Sequence, residues 1–209
     1  MVPGVMNDPR THWDKVYGSR SETEVSWYQR RPEQSLTLIR NAAPDLSTPV
    51  IDVGSGTTGL IAELAAIGYR DLTALDVSAA AIDKARRRLA EAADRVAWIV
   101  ADITAWSPHR QWDVWHDRGV FHFLTGTAAQ DAYIRALGAA LAGGGTAIVA
   151  TFALDGPETC SGLPVQRHSG ATLAARLGAG FRLVFGTPER HVTPRGAVQN
   201  FMYAVFRRL

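Results

Sequence analysis

Ile51-Asp52-Val53-Gly54-Ser55-Gly56-Thr57-Thr58-Gly59 is the stretch on which the fold turns. A short apolar run ends in glycines, and a helical pattern follows at once. Glycine accepts the positive φ of a tight turn and, having no side chain, lets a ligand come close to the backbone. A helix behind such a turn points its unpaired N-terminal amides forward. The pattern predicts a strand over 50–53, a turn, and a helix over about 58–67, with Leu60, Ile61 and Leu64 inward and Gly68 as the stop.

Beyond this stretch, further β-rich runs at 71–75, 96–101, 112–116 and 146–152 alternate with helical patterns, the signature of a parallel sheet covered on both faces. Ser78 is a good N-cap for a helix reaching about residue 93. Thr127 with Gln130 reads as a capping box ahead of a face made by Ile134, Leu137 and Leu141, and another helix spans about 169–178. The end differs in kind: 181–185, extending toward 191, and 198–206 flank Pro194, Arg195 and Gly196, which predicts an antiparallel hairpin. The expected architecture is α/β, a Rossmann-like doubly wound sheet, mostly parallel with a C-terminal antiparallel hairpin. Residues 1–48, with His12, Trp13, Tyr17, Trp27 and Tyr28 in two predicted helices, are expected to cap the ligand mouth of a core over 49–209, as one domain overall.

Composition narrows the possibilities. The 209 residues, 46% hydrophobic and 20% charged, suit a globular domain that buries about 70% of its unfolded surface. Cys160 is the only cysteine, so an internal disulfide and a thiolate zinc site are excluded, and no metal is expected. Residues 1–10 lack the charged and apolar regions of a secretory leader, and a cytoplasmic location is expected. Residues 137–154 carry no charge over a length that could cross a membrane, but Gly143 to Gly145 interrupt them. They read as a helix end, a turn and a buried strand, and no membrane partner is expected. Net charge is +2, and Lys84, Arg86, Arg87 and Arg88 sit on a helix whose inward positions are Ile82, Ala85 and Leu89. That is the pattern of a solvated face, and no nucleic-acid partner is expected.

Gly54, Gly56 and Gly59 also fit the dinucleotide fingerprint, with Asp76 standing 22 residues after Gly54 at the next strand end. The glycines alone do not choose the ligand. Asp52 does more, because a carboxylate two residues before the first glycine suits a cationic group and repels a pyrophosphate. Asp52, Asp76 and Asp102 together put an acid at three successive strand ends, the edge where such sheets bind ligands. Chain length argues the same way, since a dehydrogenase usually needs a further substrate domain. A NAD(P)-dependent oxidoreductase and a non-catalytic binding module remain as alternatives.

Residues 50–152 resemble the core of class I S-adenosylmethionine-dependent methyltransferases. Their D-x-G-x-G-x-G motif is matched at Asp52, Gly54 and Gly56, with Thr58 replacing the third glycine. Their L-x-P-G-G turn is approximated by Leu141-Ala142-Gly143-Gly144-Gly145. The resemblance implies S-adenosylmethionine as cofactor and S-adenosylhomocysteine as product. It implies that Gly54, Ser55 and Gly56 run beside the aminoacyl portion. Asp76 would hold the ribose hydroxyls, Val77 and Ser78 would follow it toward the adenine, and Asp102 with Ile103 would meet the adenine amino group. Trp13, Trp27, Asp117 and Arg118 complete the expected cofactor contacts. A helix cap or turn role is the plain alternative for Asp76 and Asp102.

Asp117-Arg118-Gly119-Val120-Phe121-His122-Phe123 follows the fourth strand, where such enzymes meet the acceptor. It resembles the D-K-G-T segment of some protein lysine methyltransferases. With Trp13, Tyr17, Trp27-Tyr28 and Cys160-Ser161-Gly162-Leu163-Pro164 it is similar to the citrate synthase lysine methyltransferase group and its bacterial relatives. The acceptor is expected to be a protein lysine or a small molecule, met by Tyr28, Phe121 and His122. Methyl transfer asks chiefly for in-line geometry and exclusion of water. Where a proton must leave, His122 and Asp117 are the candidate bases. Against this, Asp117 could anchor its loop and His122 could be packed between its phenylalanines. Cys160 reads as an inert small residue.

Overall fold

The computed structural model describes residues 8–57 and 59–209. Residues 1–7 and Thr58 lie outside them. So does most of the N-terminal stretch read for a leader, together with Thr58 as helix start and as the glycine replacement. The strands are β1 (Val50–Val53), β2 (Leu72–Asp76), β3 (Val96–Val100), β4 (Trp112–Arg118) and β5 (Leu141–Phe152), then a small ribbon of β6 (Thr159–Cys160) and β7 (Leu163–Pro164), and finally β8 (Phe181–Val192) and β9 (Val198–Arg208). Seven of them form one sheet in the order β3-β2-β1-β4-β5-β9-β8. The first five run parallel, and β9 and β8 add antiparallel to β5. This is the mostly parallel, doubly wound sheet with a terminal hairpin that the patterning predicts. The chain leaves β1 toward β2 and β3 and then returns to the other side through β4. The switch point, where open α/β sheets bind ligands, therefore falls between β1 and β4.

The helices are α1 (Pro9–Ser19), α2 (Glu33–Ala42), α3 (Leu60–Ile67), α4 (Ala79–Leu89), α5 (Thr127–Ala140) and α6 (Gly170–Leu177). Alternation along β1 sends Val50 to one face of the sheet and Ile51 and Val53 to the other. On the first face pack Leu36 and Ile39 of α2, Leu64 of α3 and Ile82 of α4. On the second lie Tyr133 and Leu137 of α5 with Leu173 and Leu177 of α6.

Five details depart from the patterning. Trp27 and Tyr28 lie between a 3-10 turn (Glu22–Glu24) and α2, not in a helix. Thr127 is not an N-cap: Gly126 precedes α5 with no side-chain cap, and the Gln130 amide instead donates to Leu124 O (2.7 Å) and Gln166 Oε1 (2.8 Å). The helix from Ser78 ends at Leu89, where Ala90 takes φ 48° and the chain tightens into a 3-10 turn through Arg95. The glycine run is the entry to β5, not a separate turn. A Cβ on Gly145 would lie 2.8 Å from Ala142 O and 3.0 Å from Asp113 O, so only glycine lets the strand start at Leu141, opposite Trp112. The basic run on α4 is not uniformly solvated either. Lys84 Nζ donates to the carbonyls of Tyr17 and Arg20, and Arg88 pairs with Glu22 at 2.7 Å, which ties the N-terminal segment to α4. Residues 137–154 are the end of α5 and β5, and no helix among the described residues is long and apolar enough to cross a membrane.

Candidate active site

The glycine turn forms as its sequence requires, with φ 68° at Gly54 and 53° at Gly56, conformations that a side chain resists. Its amides are committed to the neighbouring strand. Gly54 N (2.7 Å) and Ser55 N (3.0 Å) both donate to Leu75 O, and Gly56 N donates to Asp76 Oδ2 at 2.8 Å. The other oxygen of Asp76 accepts from Ser78 N (2.8 Å), and burial raises this carboxyl to a pKa of about 6 against the pull of those two amides. Ser78 caps α4 through Ala81 N (3.1 Å) and donates its hydroxyl to Asp14 Oδ1 (2.6 Å), which also meets Ala80 N. Asp14 thus joins the strand-end acids from α1. Asp102 lies beside Asp76, since Ala101 N donates to Asp76 O, and its Oδ1 accepts from the amide and hydroxyl of Thr104, both at 2.8 Å. Val77 is half-buried and Ile103 is buried in the second face of the core.

Beneath the turn, Asp52 meets a partner hidden from the sequence. Its Oδ1 lies 2.7 Å from His116 Nδ1 in β4, while His116 Nε2 lies 2.9 Å from Ser35 Oγ, itself 3.1 Å from the Tyr203 hydroxyl. Asp52 and His116 are cross-strand neighbours, both nearly inaccessible to solvent. The chain of contacts runs from the glycine turn through α2 to the hairpin.

Above the turn stand aromatic rings. Trp13 and Tyr17, four apart on α1, share one face. Trp13 packs on Trp27 (centroids 5.7 Å), Phe123 (5.1 Å) and Tyr17 (6.0 Å), and Tyr17 on Trp27 at 6.1 Å. A Cβ on Gly56 would stand 2.7 Å from the Tyr17 hydroxyl, and one on Gly54 would overlap a Val120 methyl, so both glycines lie under close cover.

The loop after β4 uses its acid as an anchor. Asp117 is wholly buried and accepts from Val120 N (2.8 Å), Phe121 N (3.1 Å) and the Tyr133 hydroxyl (2.7 Å). Burial raises its carboxyl to about 6. Arg118 turns away from the glycine turn to pair with Glu189 of β8 at 3.0 Å, lies 4.1 Å over the Phe201 ring, and donates to Trp27 O at 3.4 Å. Phe121 is not brought to the aromatic cover: it is fully buried on the opposite face against Tyr133 (4.9 Å) and His168 (5.5 Å). Tyr28 lines a surface hollow of about 870 Å³ with Arg30, Glu63 and Val192, whose walls hold none of the turn glycines. His122 is buried against Phe123, Phe152 and Phe201, and burial, then Arg118 and His168, lowers its pKa to about 3. Burial pushes the Cys160 thiol up to about 11. Among the described residues no cluster of His, Cys, Asp and Glu suits a metal ion.

Tyr17 stands in the cap and Val120 in the loop after β4, as the sequence led us to expect, but Asp14, His116, Ser35 and Glu189 were given no place in the site. The Asp52–His116 contact had no signal in the sequence, because only the pairing of β1 with β4 brings the two together.

Residues 50–145 match the family model described as a methyltransferase domain. The "eEF1A lysine and N-terminal methyltransferase" of Bos taurus is 27% identical over 109 residues, which are 52% of this chain and 15% of that protein, so the chain spans about one seventh of that relative's length. Among solved structures, a S-adenosylmethionine-dependent methyltransferase from Anabaena variabilis superposes with a TM-score of 0.73 at 13% identity, covering 96% of this chain and 93% of that one. The 1,6-didemethyltoxoflavin-N1-methyltransferase of Burkholderia thailandensis, solved with bound 1,6-didemethyltoxoflavin and S-adenosylhomocysteine, gives a TM-score of 0.67 at 18% identity, with 95% of this chain and 83% of that one covered. Residues 50–145 thus resemble a methyltransferase domain, and the sheet has the fold seen in solved S-adenosylmethionine-dependent methyltransferases.

Proposed function

We propose that the chain transfers a methyl group from S-adenosylmethionine to a nucleophilic acceptor, either a protein lysine or a small molecule. The observation that carries this reading is how the glycine turn is used. The amides of Gly54, Ser55 and Gly56 all donate into β2, leaving none of the three for a pyrophosphate. Asp52, Asp76, Asp14 and Asp102 gather at the same edge, a field that suits a cationic cofactor and repels phosphates. The donor set therefore fits S-adenosylmethionine better than a dinucleotide.

On this reading Gly54, Ser55 and Gly56 with Asp52 flank the aminoacyl portion. Asp76 takes the ribose hydroxyls on its remaining lone pairs, and Val77, Ser78, Asp102 and Ile103 surround the adenine. Asp14 steadies Ser78. When bound, the cofactor supplies an already activated sulfonium methyl, so the chain's work is to orient and to exclude water. Asp117 holds the β4 loop, its oxygens occupied by three donors, and Arg118 holds Trp27, so neither is assigned a chemical step. Cys160 takes none either. Of the 1–48 cap, the described residues 8–48 cover the core of 49–209.

The reaction is tested with S-adenosylmethionine labelled in its methyl group, incubated with purified protein and cell extract. Label is expected in the protein or the small-molecule fraction. Its absence from both, while S-adenosylhomocysteine still binds, would leave a binding module in place of an enzyme.

The cap carries its own prediction. Trp27 is only partly buried, and aromatic faces around a sulfonium contribute up to about 2 kcal/mol when water is excluded. Trp27→Ala is expected to lower turnover by about tenfold or more while shifting the melting temperature little. A loss of about 3 to 5 kcal/mol in stability with normal turnover would make Trp27 a core residue instead.

A further inference from the structure

His122 is held at one edge of its ring. Nδ1 accepts the backbone amide of Phe152 at 3.2 Å, which in the neutral ring puts the proton on Nε2. Nε2 itself is buried and has no partner among the described residues. A buried donor left unmet in a native fold calls for an explanation. Its surroundings supply no acceptor: the ring stands against Phe123 (4.5 Å), Phe152 (4.7 Å) and Phe201 (6.4 Å).

The bare edge faces Gly119, where a Cβ would stand 3.6 Å from both Cε1 and Nε2 and where φ is 92°. Gly119 lies at the end of β4, at the switch point. Its neighbour Val120 covers Gly54, and Phe123 carries the contact on to Trp13 of the aromatic cover. His122 therefore belongs to the wall between glycine turn and cap. The charged and titratable groups that act on it, Arg118 of β4 and His168 ahead of α6, both oppose a second proton, as does burial. The ring is a fixed, neutral donor.

We propose that His122 determines acceptor specificity, donating its Nε2–H to a lone pair on a neutral small molecule, such as a carbonyl oxygen or ring nitrogen beside the atom to be methylated, and does not serve as base. This rests on the methyl-transfer reading above and chooses between its two acceptor classes. A lysine amine must turn its single lone pair to the methyl carbon and has none left for His122. A small molecule with a second heteroatom satisfies both demands. The nucleophilic atom forms its bond to the methyl carbon as the carbon–sulfur bond breaks, with the electron pair leaving on sulfur. Any proton the acceptor sheds passes to solvent and not to His122.

Two measurements test this. In ¹⁵N-histidine-labelled protein bound to S-adenosylhomocysteine, two-bond ¹H–¹⁵N correlations are expected to show His122 neutral and protonated on Nε2 from about pH 5 to about pH 8. An imidazolium, or a proton on Nδ1, overturns the proposal without reference to turnover. In the labelled-methyl assay on cell extract, His122→Gln, which keeps an N–H donor but cannot act as base, should label small molecules within about threefold of the parent protein. His122→Phe should fall about tenfold or more below it, the loss of one hydrogen bond. Both variants should bind S-adenosylhomocysteine as the parent does, which shows that they fold. Equal losses in the two variants overturn the donor role, and label in the protein fraction overturns the small-molecule class. A parent protein that fails to bind S-adenosylhomocysteine overturns the methyl-transfer reading itself, and is told apart by that.

Discussion

Replacing His116 with alanine is expected to lower the free energy of unfolding by about 2 to 3 kcal/mol, the cost of leaving a buried carboxyl without its hydrogen-bond partner. His116 and Asp52 lie 2.7 Å apart with side chains 2% and 4% exposed, so the substitution leaves a buried carboxyl short of a protein partner. Ser35, which meets the other ring nitrogen at 2.9 Å, loses a partner as well. In a domain of about 200 residues each kcal/mol moves the melting temperature by about 2 to 4 °C, so a drop of about 5 to 10 °C is expected by scanning calorimetry. Asp52→Leu combined with His116→Leu should recover much of that stability, because replacing both members by apolar groups is often neutral or better. It should not recover cofactor binding if Asp52 flanks the aminoacyl group. A loss below about 1 kcal/mol in His116→Ala would show that the pair contributes little.

Asp76→Ala is expected to weaken S-adenosylhomocysteine binding by about 1 to 3 kcal/mol, about five- to 150-fold, through lost ribose hydrogen bonds. The same carboxylate also receives Gly56 N and Ser78 N, so the substitution loosens the turn and the cap of α4 together. A pH signature separates this group from its neighbours. Its pKa is raised from 3.8 to about 6 in the folded state, so between these values the folded protein holds the extra proton. The stability it contributes is full at the low end of that window and declines as pH rises through about 6. Asp76→Ala should flatten that part of the stability profile, read as denaturation midpoints across the window. Unchanged affinity in the variant would leave Asp76 as a turn residue.

The sheet was legible because its signals are local. Apolar runs ending in Gly54, Asp76 and Asp102, and the turn residues Pro194 to Gly196, each act within a few positions. The capping of α5 misled because Thr127 satisfies a local pattern while Gln130 finds better partners at Leu124 and at Gln166, which is 36 residues away. The strand-end acids could be named from spacing, since parallel strands end on one edge. What fills the space around them could not. His116 reaches Asp52 across 64 residues of chain, Glu189 reaches Arg118 across 71, and Asp14 reaches Ser78 across 64. The same limit governs Phe121 and His122: they are neighbours in sequence, yet the 3-10 turn over Phe121–Phe123 sends one to each face of the sheet.

On the proposed function, the edge between β1 and β4 holds S-adenosylmethionine and not a dinucleotide. Thermal unfolding in the presence of S-adenosylhomocysteine or of NADH separates the two. A ligand at a hundred times its dissociation constant adds about 2.7 kcal/mol, or about 5 to 10 °C for a domain of this size. That shift is expected with S-adenosylhomocysteine and none with NADH, whereas a shift with NADH alone would assign the edge to a dinucleotide.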